Sequence, residues 1–216
     1  MIPDWTSERK RMVDEQLRRR GITDQRVLAA MLEIPRQEFV PIELRVVSYR
    51  DEPISIGFGQ TISQPYMTAF MAQCLELKGT EVILDVGAGS GYAAAVLGAL
   101  GARVIAIELI GGLAQVAARN LQRTARAGNV QVVAGDGSVG YPEFAPYDAI
   151  SVGAAAPDVP ARLIAQLRDS GRLVIPVGTR QDQSLTIVTK KAGAPNSRVA
   201  TQCRFVPLRG AEGWRS

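Results

Sequence analysis

Residues 83–92 read Ile-Leu-Asp-Val-Gly-Ala-Gly-Ser-Gly-Tyr, an apolar run that passes directly into a glycine-rich loop. The apolar run predicts a buried strand, and the residues after the loop predict a helix. Glycines let the backbone turn sharply and come close to a ligand, and a helix start presents free N–H groups. The stretch therefore predicts a strand–loop–helix unit that binds a ligand at the carboxyl end of the strand.

The same alternation of strand and helix continues toward the C-terminus. Strands are predicted at residues 82–86, 103–108, 130–134, 147–152 and 172–177, with helices from 91, from about 110 to 127 and from 159 to 167. Two late strands, 184–189 and 201–207, have no long helix between them. Repeated βα units indicate an α/β fold with a doubly wound, mostly parallel, Rossmann-like sheet, and the late pair indicates an antiparallel edge.

Residues 1–80 have a different, helical and loop-rich pattern. Helices are predicted at residues 7–20, ended by Gly21, from an N-cap at Thr23 to Glu33, and at 64–77, with a loop at 49–63. With no internal repeat or linker, we expect one domain over 1–216. Residues 1–80 form its N-terminal helical cap, and residues 81–216 form its core.

The composition excludes several classes of protein. Of the 216 residues 46% are hydrophobic and 21% are charged, which is typical of a globular domain and not of a disordered chain. The net charge of +4 is scattered, without the long basic stripe of a nucleic-acid binder. The sequence has no histidine and two distant cysteines, Cys74 and Cys203, which excludes a Cys/His zinc site; we expect no metal.

The chain shows no targeting or membrane segment in its sequence. The first twenty residues are highly charged, and the longest apolar stretch, around 93–102, is too short to span a bilayer. We expect a cytoplasmic protein that does not contact the membrane.

Three acids at strand ends predict what the glycine loop binds. Glu108 ends the second strand, where a carboxylate can bind both ribose hydroxyls, and Asp136 follows the third strand on the adenine side. The loop reads G-x-G-x-G, whereas a dinucleotide site reads G-x-G-x-x-G. This glycine spacing suits S-adenosylmethionine, which has no pyrophosphate. The alternative is that the glycines only form turns and bind no ligand. The predicted cofactor-binding residues are Asp85, Gly87, Gly89, Ser90, Gly91, Glu108, Asp136 and Gly137.

A more specific match lies at residues 51–67, which read Asp-Glu-Pro-Ile-Ser-Ile-Gly-Phe-Gly-Gln-Thr-Ile-Ser-Gln-Pro-Tyr-Met. This stretch resembles the signature of the protein-L-isoaspartate O-methyltransferase family. The resemblance extends over nearly the whole chain, including residues 135–137, 154–157 and 172–178. Two positions depart from it: Gly153 stands where the family commonly has threonine, and Asp85 replaces the commoner glutamate.

The resemblance implies an activity and roles for particular residues. It implies methyl transfer from S-adenosylmethionine to the free α-carboxylate of L-isoaspartyl residues in age-damaged proteins, which starts repair through a succinimide. Ser63 would hydrogen-bond the substrate carboxylate. The family is usually monomeric and cytosolic, and its late strands are exchanged relative to ordinary methyltransferases. The residues implied to bind substrate are Gln60, Thr61, Ile62, Val206, Pro207 and Leu208.

The same residues also bear on alternative functions. Amino-methylating nucleic-acid enzymes carry an Asn/Asp-Pro-Pro-aromatic motif where this chain has residues 153–157, Gly-Ala-Ala-Ala-Pro. A relative that methylates an aspartate of a specific modified peptide stays open, as does a non-catalytic cofactor-binding module. Without the signature around it, Ser63 would be read as an ordinary loop or N-cap serine.

Overall fold

The computed structural model describes residues 3–124 and 127–214, which form a seven-stranded sheet flanked by helices. The chain first runs through helix α1 (Trp5–Arg11), α2 (Gln25–Glu33), a hairpin of β1 (Ile54–Gly57) and β2 (Gln60–Ile62), and α3 (Pro65–Cys74). The strands of the main sheet are β3 (Val82–Val86), β4 (Arg103–Glu108), β5 (Val130–Ala134), β6 (Tyr147–Val152), β7 (Leu167–Gly178), β8 (Gln183–Lys191) and β9 (Ala194–Cys203). The helices between them are α4 (Tyr92–Leu100), α5 (Gly111–Gln122) and α6 (Ala161–Gln166).

The sheet has the strand order β5-β4-β3-β6-β7-β8-β9. The first five strands in this order are parallel, and β8 and β9 continue the sheet in antiparallel pairs, which confirms the predicted fold and its antiparallel edge. The chain moves outward from β3 to β5 and then returns to β6 on the other side of β3. The carboxyl ends of β3 and β6 therefore form the switch point at which such sheets bind ligands.

The alternation of side chains along each strand divides the core into two layers. Ile83 and Leu84 are neighbours in β3, yet both are fully buried and each belongs to a different apolar cluster. The layer that contains Ile83 also contains Met31 and Leu97, so the N-terminal helices and α4 pack on the same face. Burial of both faces explains why β3 reads as a continuous apolar run.

The helical segment predicted at 7–20 is continuous but changes type. Helix α1 is followed by a π-helical turn at Met12–Leu17 and a 3-10 turn at Arg18–Arg20, and Gly21 ends the segment with φ of +89°. Helix α2 is capped by Asp24 and not by Thr23, because the Asp24 carboxylate accepts the backbone N–H groups of Arg26 and Val27. The prediction of Thr23 as N-cap is therefore wrong by one residue.

Other bounds differ from the predicted ones. The loop predicted at 49–63 contains the β1–β2 hairpin. The last strand lies at Ala194–Cys203, seven residues earlier than its predicted start, and α5 ends at Gln122, before the undescribed residues 125 and 126. Among the described residues, no helix combines the length and apolar character that a bilayer crossing requires.

Candidate active site

The glycine loop after β3 is fixed by hydrogen bonds to the next strand. The backbone N–H groups of Gly87 and Ala88 both donate to the carbonyl of Ile107, over 2.8 and 3.0 Å. Gly87 and Gly89 have φ of +83° and +57°, a region that side chains other than glycine rarely adopt. The loop therefore turns sharply after β3, and at Gly87 and Gly89 it has no side chain of its own that covers its backbone.

Glu108 secures the same loop from the end of β4. The side chain is buried; one carboxylate oxygen accepts the N–H of Gly89 at 2.8 Å and the other accepts the N–H of Ile110 at 3.0 Å. A carboxylate has about four lone-pair sites, so both oxygens keep accepting capacity for a ligand. This is the geometry expected of a residue that binds a diol.

Asp85 is a buried acid beneath the glycine loop. It is 1% exposed, and its Oδ2 atom has no hydrogen-bond partner in the described part of the chain. Burial, and secondarily the charge of Glu108, raises the pKa of Asp85 to about 7. The side chain lines a small cavity together with Ser63 and Ser151, so a polar group that enters this cavity would find an unsatisfied carboxyl.

A cleft opens where β3, β4 and β6 end. Six separate parts of the sequence meet in its wall: the hairpin, the glycine loop, the end of β4, the turn after β5, the residues after β6 and a segment after β9. The wall residues are Gln60, Thr61, Val86, Gly87, Gly89, Ile107, Glu108, Leu109, Ile110, Gly137, Gly153, Ala154, Val206, Pro207, Leu208 and Arg209.

Asp136 lies beside this cleft but is not in its wall, whereas Gly137 is. The Asp136 carboxylate accepts the N–H of Ser138 and, from far along the chain, the N–H of Ala211 at 2.8 Å. Residues 208–214 are here called the C-terminal strap, and they cover the side of the cleft at Asp136. The ring N–H of Trp214 donates to the carbonyl of Ala155. Burial by itself would raise the pKa of Asp136. The hydrogen bonds from Ser138 and Ala211 outweigh burial and hold this pKa below its usual value.

Two of the predicted cofactor residues, Ser90 and Gly91, are packed within the fold and lie outside the cleft wall. Gly91 has φ of +94° and lies where a side chain would press against Leu121 of α5. Ser90 is buried, and its hydroxyl lacks a partner among the described residues. Neither lies in the wall of the cleft. Their role as cofactor ligands stays a prediction.

A second, larger groove adjoins the cleft and contains Ser63. It runs between the start of α3 and the segment after β9, and it shares Thr61, Gly153 and Val206 with the wall of the cleft. Ser63 is partly exposed there, while Ile62 points into the core and is 6% exposed. Five of the six predicted substrate residues therefore line the cleft or the groove, and Ile62 supports the hairpin from below.

Sequence reasoning missed two features of this site and left a third, Gly153, out of the predicted site residues although it noted Gly153 as a departure from the family. Gly153 lines the cleft, the groove and the Asp85 cavity, as its position directly after β6 at the switch point indicates. The strap, with Arg209 in the cleft wall, carries no pattern that predicts its return to Asp136. The other missed feature is a buried arginine, Arg36, which supports the Ser63 loop.

The geometry can be compared with that of known proteins. The sequence model of the protein-L-isoaspartate(D-aspartate) O-methyltransferases matches residues 7–213. The chain belongs to this family. A protein-L-isoaspartate O-methyltransferase of Herpetosiphon aurantiacus is 50% identical over 97% of this chain and 93% of its own length. One of Methanoculleus marisnigri is 49% identical over 96% of this chain and 94% of its own length.

The fold of the family is also found among solved structures. A protein-L-isoaspartate O-methyltransferase described as putative, from Plasmodium falciparum, superposes with a TM-score of 0.81 at 27% identity, over 96% of this chain and 99% of that one. That protein was solved in complex with S-adenosyl-L-homocysteine. Within the described residues, no three His, Cys, Asp or Glu side chains lie together as a metal site would require.

Proposed function

We propose that this protein transfers a methyl group from S-adenosylmethionine to the free α-carboxylate of L-isoaspartyl residues in damaged proteins. One observation carries the proposal: the groove that contains Ser63 and the cleft beside Glu108 share Thr61, Gly153 and Val206 as walls. A peptide carboxylate at Ser63 and a cofactor in the cleft would thus be separated by no intervening element. The family to which the chain belongs supports the same assignment.

The residues of the cleft fit S-adenosylmethionine. The accepting capacity left on Glu108 suits the ribose diol, and Gly137 leaves room for the adenine. Beside the cleft, in the small cavity, the unpartnered Asp85 oxygen suits an ammonium group. The cofactor supplies a methyl group already activated by its sulfonium. What the chain must provide is a dry, rigid site that aligns the acceptor.

The acceptor needs no general base. A peptide carboxylate has an ordinary pKa near 4, so it is ionised at neutral pH and is already a nucleophile. A sequence without histidine can therefore support this reaction. Ser63 acts as an orienting hydrogen-bond donor, and alignment of this kind supplies about 7–11 kcal/mol in favourable cases.

The steps after methyl transfer need no further group from the protein. The methyl ester has a better leaving group than the free acid, so the neighbouring backbone nitrogen attacks the ester carbonyl, methanol departs and a succinimide closes. Hydrolysis of that ring returns part of the chain to normal aspartate. We further propose a cytoplasmic, monomeric enzyme whose substrates are age-damaged proteins and peptides rather than nucleic acids or membranes.

The test compares two short peptides that differ only in an isoaspartyl or aspartyl linkage. In the aspartyl peptide the carboxylate stands one methylene farther from the main chain, so it cannot reach Ser63 while the backbone keeps its contacts near Val206–Leu208. Misplacement of about 1 Å costs roughly a hundredfold in transfer. We expect kcat/KM, measured by release of labelled methanol, to be at least about a hundred times higher for the isoaspartyl peptide.

Two outcomes would contradict this proposal in different ways. Equal rates on the two peptides would reject the repair activity while leaving methyl transfer in place. Activity on neither peptide, with tight binding of S-adenosylhomocysteine, would point to a specific modified peptide as substrate or to a binding module.

A further inference from the structure

A fully buried arginine lies beneath the loop that carries Ser63. Arg36 begins the 3-10 turn Arg36–Phe39 and is 0% exposed. No carboxylate forms an ion pair with it among the described residues. Burial of an unpaired charge is costly, and apolar side chains of similar volume are often as stabilising or more so. The presence of a charged side chain at this position therefore requires an explanation beyond filling space.

The guanidinium connects three segments that are distant in sequence. Its Nε donates to the carbonyl of Ser48 at 2.7 Å, and its Nη2 donates to the carbonyl of Ser63 at 2.8 Å. Its central carbon lies 4.9 Å from the centroid of the Tyr92 ring. The planar fork of arginine can make these contacts at once, which the single ammonium of lysine cannot.

Tyr92 connects Arg36 to the cofactor loop. Tyr92 is the first residue of α4 and directly follows Gly91, the last glycine of the cofactor loop. One end of the Arg36 contacts therefore fixes the backbone of the predicted substrate-orienting residue. The other end rests on the helix that begins at the glycine loop.

We infer that Arg36 is a positioning residue for methyl transfer, which sets the separation between the Ser63 loop and the glycine loop. This inference rests on the proposed function. It concerns alignment and not binding, because Arg36 itself lines neither the cleft nor the groove and reaches the groove only through the backbone carbonyl of Ser63. Loss of the fork should therefore change turnover far more than it changes the affinity for either ligand.

Arg26, whose side chain is exposed, provides a control for loss of an arginine fork that binds two carbonyls. Its guanidinium also donates to two backbone carbonyls, those of Leu77 and Leu100, each over 2.8 Å, but it lies away from the cleft and the groove. Replacement of either arginine by lysine removes the same kind of fork. A purely structural role for Arg36 predicts that Arg36→Lys lowers the melting temperature and, like Arg26→Lys, keeps the wild-type kcat.

The experiment measures kcat and KM on the isoaspartyl peptide, Kd for S-adenosylhomocysteine by calorimetry, and the melting temperature. For Arg36→Lys we expect kcat to fall about ten- to a hundredfold, since misplacement near 1 Å has that effect, while KM and Kd change less than about threefold. Arg26→Lys should lower the melting temperature but keep wild-type kcat. Wild-type kcat in Arg36→Lys, or an equal loss in both variants, would overturn the inference.

A second pair of variants covers the case in which Arg36→Lys does not fold. Tyr92→Leu removes the ring beneath the guanidinium together with its hydroxyl, and Tyr92→Phe keeps the ring and removes only the hydroxyl. We expect a larger loss of kcat in the first than in the second; equal kcat in the two would count against the inference. Failure of the wild-type protein on the isoaspartyl peptide would instead reject the proposed function, so the two failures are distinguishable.

Discussion

The Glu108 carboxylate lies 2.8 Å from the backbone nitrogen of Gly89, so the end of strand β4 holds the glycine loop that follows β3. The same carboxylate faces the cleft. It therefore shapes the loop and is available to the ribose diol at the same time.

Replacement of Glu108 by glutamine tests this double role. An amide keeps the size but loses the charge and one accepting oxygen, and charge-assisted hydrogen bonds contribute about 1.5–3 kcal/mol. We expect Kd for S-adenosylhomocysteine to rise by about one to two decades in calorimetry. Glu81→Gln is the control, since the Glu81 carboxylate also accepts backbone N–H groups, those of Lys78, Gly79 and Thr80, but outside the cleft. Equal losses in both variants would remove Glu108 from the cofactor site.

The Ser63 hydroxyl makes no side-chain hydrogen bond within the described residues, so it is available to a substrate. Loss of one oriented donor in a dry site costs up to about 2.7–4 kcal/mol. Ser63→Ala should therefore lower kcat by about a hundredfold or more, with Kd for S-adenosylhomocysteine unchanged. Ser55→Ala, in strand β1 of the same hairpin, should leave both values at those of the wild type. Normal turnover in Ser63→Ala would show that another group orients the carboxylate.

Asp85 links stability to pH. Its folded pKa of about 7 lies above the ordinary pKa of an aspartate, about 4, so the folded protein binds this proton more tightly than the unfolded chain does. The stabilisation is complete below about pH 4 and is lost as pH rises through 7. Cofactor-free Asp85→Asn should therefore melt at a higher temperature than the wild type at pH 8, and the gain should shrink toward pH 5.

The exposed Asp182→Asn provides the control for this series, because a surface carboxamide should not change the pH dependence of the melting temperature. Parallel melting curves of wild type and Asp85→Asn across the whole pH range would contradict the assignment. Asp85→Asn should also bind the cofactor more weakly, so the site keeps a buried acid at some cost in stability.

Gly210 tests whether the strap belongs to the cofactor site. Its φ is +138°, and a methyl group there would collide with the Asp136 carboxylate. Strain of this kind costs about 1–3 kcal/mol. Gly210→Ala should lower the melting temperature by several degrees and weaken S-adenosylhomocysteine binding, because Leu208 and Arg209 line the cleft.

Gly128→Ala is the matched control, since a methyl group at Gly128 meets no atom within 4 Å. Trp214 is one of two tryptophans in the sequence, so its fluorescence in a Trp5→Phe background reports the strap directly. Unchanged affinity in Gly210→Ala, despite a disturbed Trp214 signal, would exclude the strap from the cofactor wall.

The sequence predicted the parallel strands β3 to β6 more closely than the antiparallel end of the sheet, and all four begin and end at the predicted residues. Strands β3, β4 and β6 are largely buried and read as apolar runs. Strand β5 lies at the edge of the sheet and is marked instead by its valines. Strand β9 lies at the edge and is largely exposed, so no apolar alternation marks it. The β1–β2 hairpin was missed because its strands have only four and three residues around Gly57-Phe58-Gly59.

The site was predictable where residue chemistry and strand ends coincide. Glu108, Gly87 and Ser63 follow from the loop pattern and the family signature, and the structure brings them to adjoining walls. Arg36 and the strap follow from neither, because their contacts join residues 27 and 75 positions apart. Packing of distant segments of this kind has no local signature in a sequence.

The C-terminal strap also determines when the cleft can be completed during synthesis. Residues 60, 61, 87 and 89 leave the ribosome long before residues 208–214, and the strands that carry them can pair while the rest of the chain is still being made. The side of the cleft at Asp136 stays open until Ala211 reaches Asp136. Stabilisation by bound cofactor is thus reserved for chains that already include the strap, and a chain that terminates before the strap stays exposed to the proteases that clear incomplete products.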